Sequence, residues 1–292
     1  MDKPKRRWGD RSDAYLVRDV DGLHAIMPHL MDKRTDAEVY VNYEFDVTET
    51  LRYLETLEVP EGCERPRFFH CVLMAIARTI DMRPLLNRYI AGRRYYQRHA
   101  ISMAFVARRR FTDEAEEKLI VIEAEDDWTL EKVCNGTTGT VDRARKDDKY
   151  GMDGTLDMLA KIPRPLLMVV ARVVKILDFF GRAPRAITDG DPNFATVLLT
   201  NLGSIRAPSV YHHLNNYGTN SIVAAIGTIH KREVIDADGN RCIRDVVEVG
   251  LTLDERIADG FYFGRSLRLV QHLLSNPELL SLPLKESIDF EF

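Results

Sequence analysis

The residues best suited to chemistry in this 292-residue chain lie together near its C-terminal end, in Leu251-Thr-Leu-Asp-Glu-Arg-Ile-Ala-Asp-Gly-Phe261. Three carboxylates, Asp254, Glu255 and Asp259, surround one guanidinium, Arg256. A carboxylate with an ordinary pKa of about 4.3 is a poor base for a thiol or alcohol. Burial can raise such a group by a few units and make it useful. Glu255 is a candidate general base on that ground, and an ion pair with Arg256 or another neighbour is the competing account. Asp259 stands before Gly260 and an apolar-periodic run, the placing of a helix cap. Composition alone would also allow the stretch to be a solvated loop. A second candidate is the pair His212 and His213, in Tyr211-His-His-Leu-Asn-Asn216. Adjacent side chains point to different sides, so one of them at most could serve. With no spaced cysteines or carboxylates beside them, a metal site is not expected.

These groups need elements to hold them. Val247-Glu-Val-Gly-Leu-Thr-Leu253 alternates apolar and polar residues and predicts a strand. After Gly260, the spacing of Phe261, Phe263, Leu267, Leu269, Val270, Leu273 and Leu274 predicts a helix that stops at Ser275-Asn-Pro277. A charged turn between strand and helix is where α/β proteins often carry reactive groups. Val39–Val47 predicts another strand, with Thr48 as cap of a helix to about Leu57. Phe68–Arg78 predicts an apolar helix, Ile101–Val106 and Lys118–Glu123 two strands, and Thr129–Lys146 a polar helix. Asp236-Ala-Asp-Gly239 is a hairpin turn signal. Residues 1–20 are polar and predict an arm.

The motif carries a resemblance. Asp254-Glu-Arg-Ile-Ala-Asp-Gly260 resembles the Asp-His-Arg-x-x-Asp-Gly motif of the acyltransferase subunits of 2-oxo acid dehydrogenase complexes, and the His-His-x-x-x-Asp-Gly motif of chloramphenicol acetyltransferases. Phe261-Tyr-Phe-Gly-Arg-Ser-Leu267 resembles the start of the helix that follows in the latter. Asp46-Val-Thr48, Pro84-Leu-Leu-Asn87 with the hairpin beginning at Tyr89, and Thr196-Val-Leu-Leu-Thr-Asn-Leu-Gly203 resemble further family segments, as does the buried strand Ser221–Ile229. The resemblance covers about residues 20–150 and 190–280. It implies an α/β two-layer sandwich with a mixed β-sheet, one domain over 21–292, and a homotrimer with each active site between two subunits. No lipoyl-type domain is visible, so the resemblance implies the catalytic part alone.

The implied reaction moves an acyl group between the thiol of coenzyme A and an acceptor that the sequence does not identify. Such transfer needs a base for the acceptor's proton and a donor for the tetrahedral oxyanion. The family base is the motif histidine, and this chain has Glu255 there. Thr200 takes the place of the serine hydroxyl that faces the oxyanion. Asp259 takes the place of an aspartate that organises the site through an arginine near the N-terminus. A gapless comparison of Gly22–Met31 puts His24 on that arginine, which suggests a swapped pair with His24 as base or as partner of Glu255. The arginine clusters 93–94 and 108–110 are either solvated faces or contacts for the phosphates of coenzyme A. The alternative to an altered acyltransferase is a catalytically inactive relative kept for assembly or ligand binding.

Residues from about 150 to 190 carry no resemblance and predict an insert. Within it, Leu166–Phe180 is apolar except for Arg172, Lys175 and Asp178, a narrow polar stripe on a helix. Fifteen residues fall short of the roughly 20 that span a bilayer. Burying five of the apolar side chains would stabilise a docked helix by about 8–15 kcal/mol before entropy is subtracted. The protein's own core, a neighbouring subunit or a lipid surface could take them, the first two being the ordinary destinations. A net charge of −4 and a pI near 6.1 give no reason to expect nucleic acid. The basic N-terminus has no apolar run behind it and is not a signal peptide. Cys63, Cys71, Cys134 and Cys242 show no metal-type spacing and fit reduced thiols in a cytoplasmic protein.

Overall fold

The structure is a computed structural model and describes residues 7–108, 117–146, 153–236 and 238–291. Residues 1–6 of the basic N-terminus, Arg109 and Arg110, residues 147–152 at the start of the insert, and Ala237 in the hairpin turn lie outside the described residues.

The strands are β1 (Ala14–Leu16), β2 (Glu38–Asp46), β3 (Arg88–Ala91), β4 (Arg94–Arg98), β5 (Ser102–Arg108), β6 (Glu117–Glu123), β7 (Val197–Asn201), β8 (Ile222–Ile226), β9 (His230–Ile235) and β10 (Arg241–Asp254). The α-helices are α1 (Gly22–Leu30), α2 (Thr48–Thr56), α3 (Phe68–Met82), α4 (Leu130–Lys146), α5 (Asp153–Ala160), α6 (Arg164–Phe179), α7 (Arg185–Thr188) and α8 (Gly260–Ser275).

The main sheet runs β2-β10-β8-β7-β5-β6, with β9 paired to the first half of β10. Strand β7 is parallel to β5 and β8, and the other pairings are antiparallel, so the sheet is mixed as expected. Residues directly opposite in neighbouring strands share a face. One face presents Phe45, Leu251, Ala224, Leu199 and Met103 to α3 and α8, and these form the principal core. Helix α3 supplies Cys71, Leu73, Met74 and Ala77, all fully buried. The result is two layers, helices on a sheet.

A smaller sheet, β1-β4-β3, stands beside this sandwich. It takes in part of residues 1–20, read from the sequence as a polar arm. Strand β1 pairs with β4, Ala14 is fully buried, and Arg11 is 4% exposed, its guanidinium set against the rings of Tyr89 and Tyr96. The turn between β3 and β4 places both Gly92 (φ 56°) and Arg93 (φ 61°) in the left-handed region. Gly92 has a second reason to be glycine: a Cβ there would lie 2.1 Å from the carbonyl oxygen of Phe179. Thr48 also differs from expectation. It is the first residue of α2 rather than its cap, and its hydroxyl accepts from Asp245 N–H at 2.9 Å.

The insert forms α5 to α7. Helix α6 is held at its C-terminal end by Arg11, which donates to the Asp178 carbonyl at 2.7 Å and pairs with the Asp178 carboxylate. A cleft of about 410 Å³ lies between α6 and the body, lined by Leu167, Val170 and Val174 of the helix and by Leu119 and Tyr217. No α6 residue is buried, so the protein's own core does not take its apolar side chains.

Candidate functional site

Strand β10 ends at Asp254, and the motif turn is fastened there by charge. Arg256 Nε donates to Asp254 Oδ1 at 2.8 Å and Nη2 donates to Oδ2 at 2.7 Å, a bidentate pair with both side chains buried. Arg256 Nη1 donates to the Met31 carbonyl at 2.7 Å. Arg256 is therefore the partner of Asp254, which overturns the expected pairing with Glu255. Glu255 N–H donates to the Ala37 carbonyl at 3.0 Å, and the residue is half-buried. Its carboxylate makes no hydrogen bond or ion pair among the described residues.

Asp259 caps α8, accepting from Tyr262 N–H at 2.7 Å, and is exposed. Its charge acts on Arg83, which stacks 3.5 Å from the centre of the Tyr262 ring. An arginine from the N-terminal region does lie within the field of the motif, but it is Arg34, and the motif carboxylate that acts on it is Asp254. Arg34 is buried and donates to the carbonyls of Ile90 at 2.8 Å and Asn215 at 3.4 Å. Burial pulls its pKa down to about 10, against the opposing field of Asp254. Sequence reasoning missed Arg34 because it starts a single 3-10 turn, Arg34–Asp36, with no periodicity to mark it.

His24 does not pair with Glu255 within one chain. Its Nδ1 lies 2.6 Å from Asp21 Oδ2, one turn back. Its ring meets Tyr95 edge-on at 6.3 Å. Burial lifts the Tyr95 hydroxyl to about 12, with Arg256 pulling down and Asp254 pushing up. His24 is thus separated from the motif's ion pair by one tyrosine.

His212 and His213 come closer to the motif than their sequence position suggests. Their segment lies across the sheet face opposite the helices, where a Cβ on Gly250 would sit 2.3 Å from the Val210 carbonyl oxygen. Tyr211 packs on Tyr40 with ring centres 5.4 Å apart, and Leu214 N–H donates to Glu38 Oε1 at 2.5 Å. Glu38 is the residue opposite Asp254. The two histidines, exposed and stacked 4.8 Å apart, therefore stand at the strand end that carries Glu255. The available signal was Gly250, a glycine inside a strand, which marks a close backbone approach.

Thr200 sits elsewhere. It is half-buried on β7, opposite Ala225, which is opposite Gly250. Glu255 is five residues beyond Gly250, roughly 16 Å along the strands, and two strand spacings add about 10 Å across. One chain does not bring Thr200 and Glu255 together. Arg93 is exposed and lies 3.9 Å from Asp32. Among the described residues, no group of three or more His, Cys, Asp or Glu could hold a metal ion.

Residues 184–282 match the family model of the 2-oxoacid dehydrogenases acyltransferase (catalytic domain). The probable dihydrolipoamide acetyltransferase of Listeria monocytogenes 4b F2365 is similar in structure, with TM-score 0.59 and 17% identity over 89% of this chain and 94% of that one. The cubic core of the pyruvate dehydrogenase multienzyme complex gives TM-score 0.61 and 14% identity over 91% and 94%. The dihydrolipoamide acetyltransferase of Azotobacter vinelandii gives 0.58 and 14% over 91% and 94%; it is described by the role of a serine, a histidine and an asparagine in its catalytic mechanism. No curated protein matches the chain in sequence. In fold the chain is an α/β two-layer sandwich with a mixed sheet, of the kind found in these acetyltransferase cores.

Proposed function

We propose that the protein is an acyltransferase that uses coenzyme A as donor or acceptor thiol, with Glu255 standing at the base position of a site shared between subunits of a homotrimer. The observation that carries this reading is the unpaired Glu255 carboxylate on a turn fixed by the buried Asp254–Arg256 pair. In the Azotobacter enzyme, the named serine precedes the named histidine by 52 positions and the asparagine follows it by four. Here Thr200 precedes Glu255 by 55 positions and Asp259 follows it by four, which supports the same set of roles.

In the proposed reaction, Glu255 takes the proton of the acceptor's thiol, hydroxyl or amine. The acceptor attacks the thioester carbonyl, and the tetrahedral oxyanion faces the hydroxyl of Thr200 from the adjoining subunit. Collapse expels the coenzyme A thiolate, which takes the proton back. Asp259 holds the first turn of α8 in place behind the base. One of His212 and His213, which stand at the same strand end, is the alternative group for the proton, and His24 acts from behind Tyr95 rather than as the base. The exposed Arg93 and Arg94 at the β3–β4 turn are cations available to substrate phosphates. The cytoplasm is the compartment that suits this chemistry and four unbridged cysteines.

Transfer between acetyl-coenzyme A and dihydrolipoamide is the assay of choice, since dihydrolipoamide acetyltransferases share the fold. Glu255→Gln should abolish transfer and Glu255→His should raise it. Full activity in Glu255→Gln would exclude the base role and leave a histidine in its place, whereas no transfer by the wild-type chain would leave the inactive, ligand-binding reading.

A further inference from the structure

Helix α6 carries a second apolar face, turned away from the body of the protein. Leu166, Val169, Val173, Ile176 and Phe180 follow one another at spacings of three, four, three and four, which makes one continuous stripe. Each is between 47 and 70% exposed. The opposite face, Leu167, Val170, Val174 and Leu177, is half-buried toward the body. The helix is thus apolar on both sides, and among the described residues only the inner side has anything to pack against.

The charge around the stripe is one-sided. Residues 161–185 carry six cations, all exposed, and a single acid, Asp178, in a chain whose net charge is −4. That acid is already engaged by Arg11. Arg172 borders the stripe, and Arg164 and Arg182 stand at the two ends of the helix.

We propose that the outer face of α6 docks on an anionic lipid surface, with the stripe among the acyl chains and the flanking arginines on lipid phosphates. The helix has 16 residues, about 24 Å, and a bilayer core is about 30 Å thick. No helix among the described residues is long and apolar enough to cross a membrane. Helix α6 therefore lies along the surface. A second α6 laid on the stripe would set Arg164 and Arg172 against the same cations, with no unengaged acid on either helix. An anionic bilayer accommodates both the stripe and the charges. The proposal does not depend on acyl transfer.

The test is co-sedimentation of the whole chain with vesicles of equimolar phosphatidylglycerol and phosphatidylcholine, and with phosphatidylcholine alone, at low salt. The protein should pellet with the anionic vesicles and bind the neutral ones more weakly, on the order of tenfold. Val173→Glu combined with Ile176→Glu should abolish pelleting and leave the melting temperature and solution mass unchanged. Arg164→Glu combined with Arg172→Glu should remove the preference for anionic vesicles. The proposal fails if the wild-type chain stays in the supernatant with both vesicles. It fails equally if the paired stripe substitutions change the oligomer mass without lipid, which would assign the stripe to a second copy.

Discussion

Asp254 and Arg256 neutralise one another at the end of β10, and Glu255 between them is left without a partner among the described residues. Alternation explains the choice: near a strand end, residues two apart lie on one side and the residue between them on the other. That rule was readable in the sequence, and it favours Asp254 over Glu255 as the partner of Arg256. Removing one member of a buried ion pair leaves the other charge stranded, at a cost of about 3–5 kcal/mol. Asp254→Ala should therefore lower the unfolding free energy by about that amount in urea denaturation. Glu255→Gln should change it by less than about 0.5 kcal/mol. Equal, small effects would mean that the pair does not fasten the turn. Arg34, by contrast, could not be found in advance. Its importance arises only when the chain folds Asn215 and Ile90 against it.

The long elements were legible because their patterns repeat. The sequences of β10 and β2 alternate, α8 buries one face at helical spacing, and α3, an almost unbroken apolar run, is buried nearly all round. The short or irregular ones were not. β1 has three residues and no room for a period, and the segment over Gly250 is ordered by a backbone contact rather than by side-chain type. Helix α3 also holds a pH-dependent feature. Its start is fastened by His70, whose Nδ1 accepts from Arg67 N–H at 3.0 Å. Burial, with help from Arg67, pushes the His70 pKa from 6.5 to about 4. The unfolded chain binds this proton more readily than the folded one between those values. The stability is thus complete above about pH 6.5 and declines as pH falls toward 4, by about 3 kcal/mol in all. His70→Asn keeps an acceptor for Arg67 N–H and should remove this fall from a profile of unfolding free energy against pH. An unchanged slope in the variant would place the titrating group elsewhere.

At the scale of the whole molecule, the register of β7, β8 and β10 keeps Thr200 and Glu255 apart in one chain. The proposed site therefore needs a second copy, with Thr200 contributed by one subunit and Glu255 by the next. Such head-to-tail contacts close into rings when the rotation allows. The sequence resemblance implies the same division, and the strand register within one chain is consistent with it. The most direct measurement is a subunit-mixing experiment on acetyl transfer from acetyl-coenzyme A to dihydrolipoamide. Thr200→Val and Glu255→Gln should each be inactive as pure proteins. Unfolded together and reassembled, they should recover about a quarter of the wild-type rate, because a quarter of randomly formed boundaries pair an intact Thr200 with an intact Glu255. Reassembled oligomers that remain as inactive as the two pure variants would contradict a site shared between subunits.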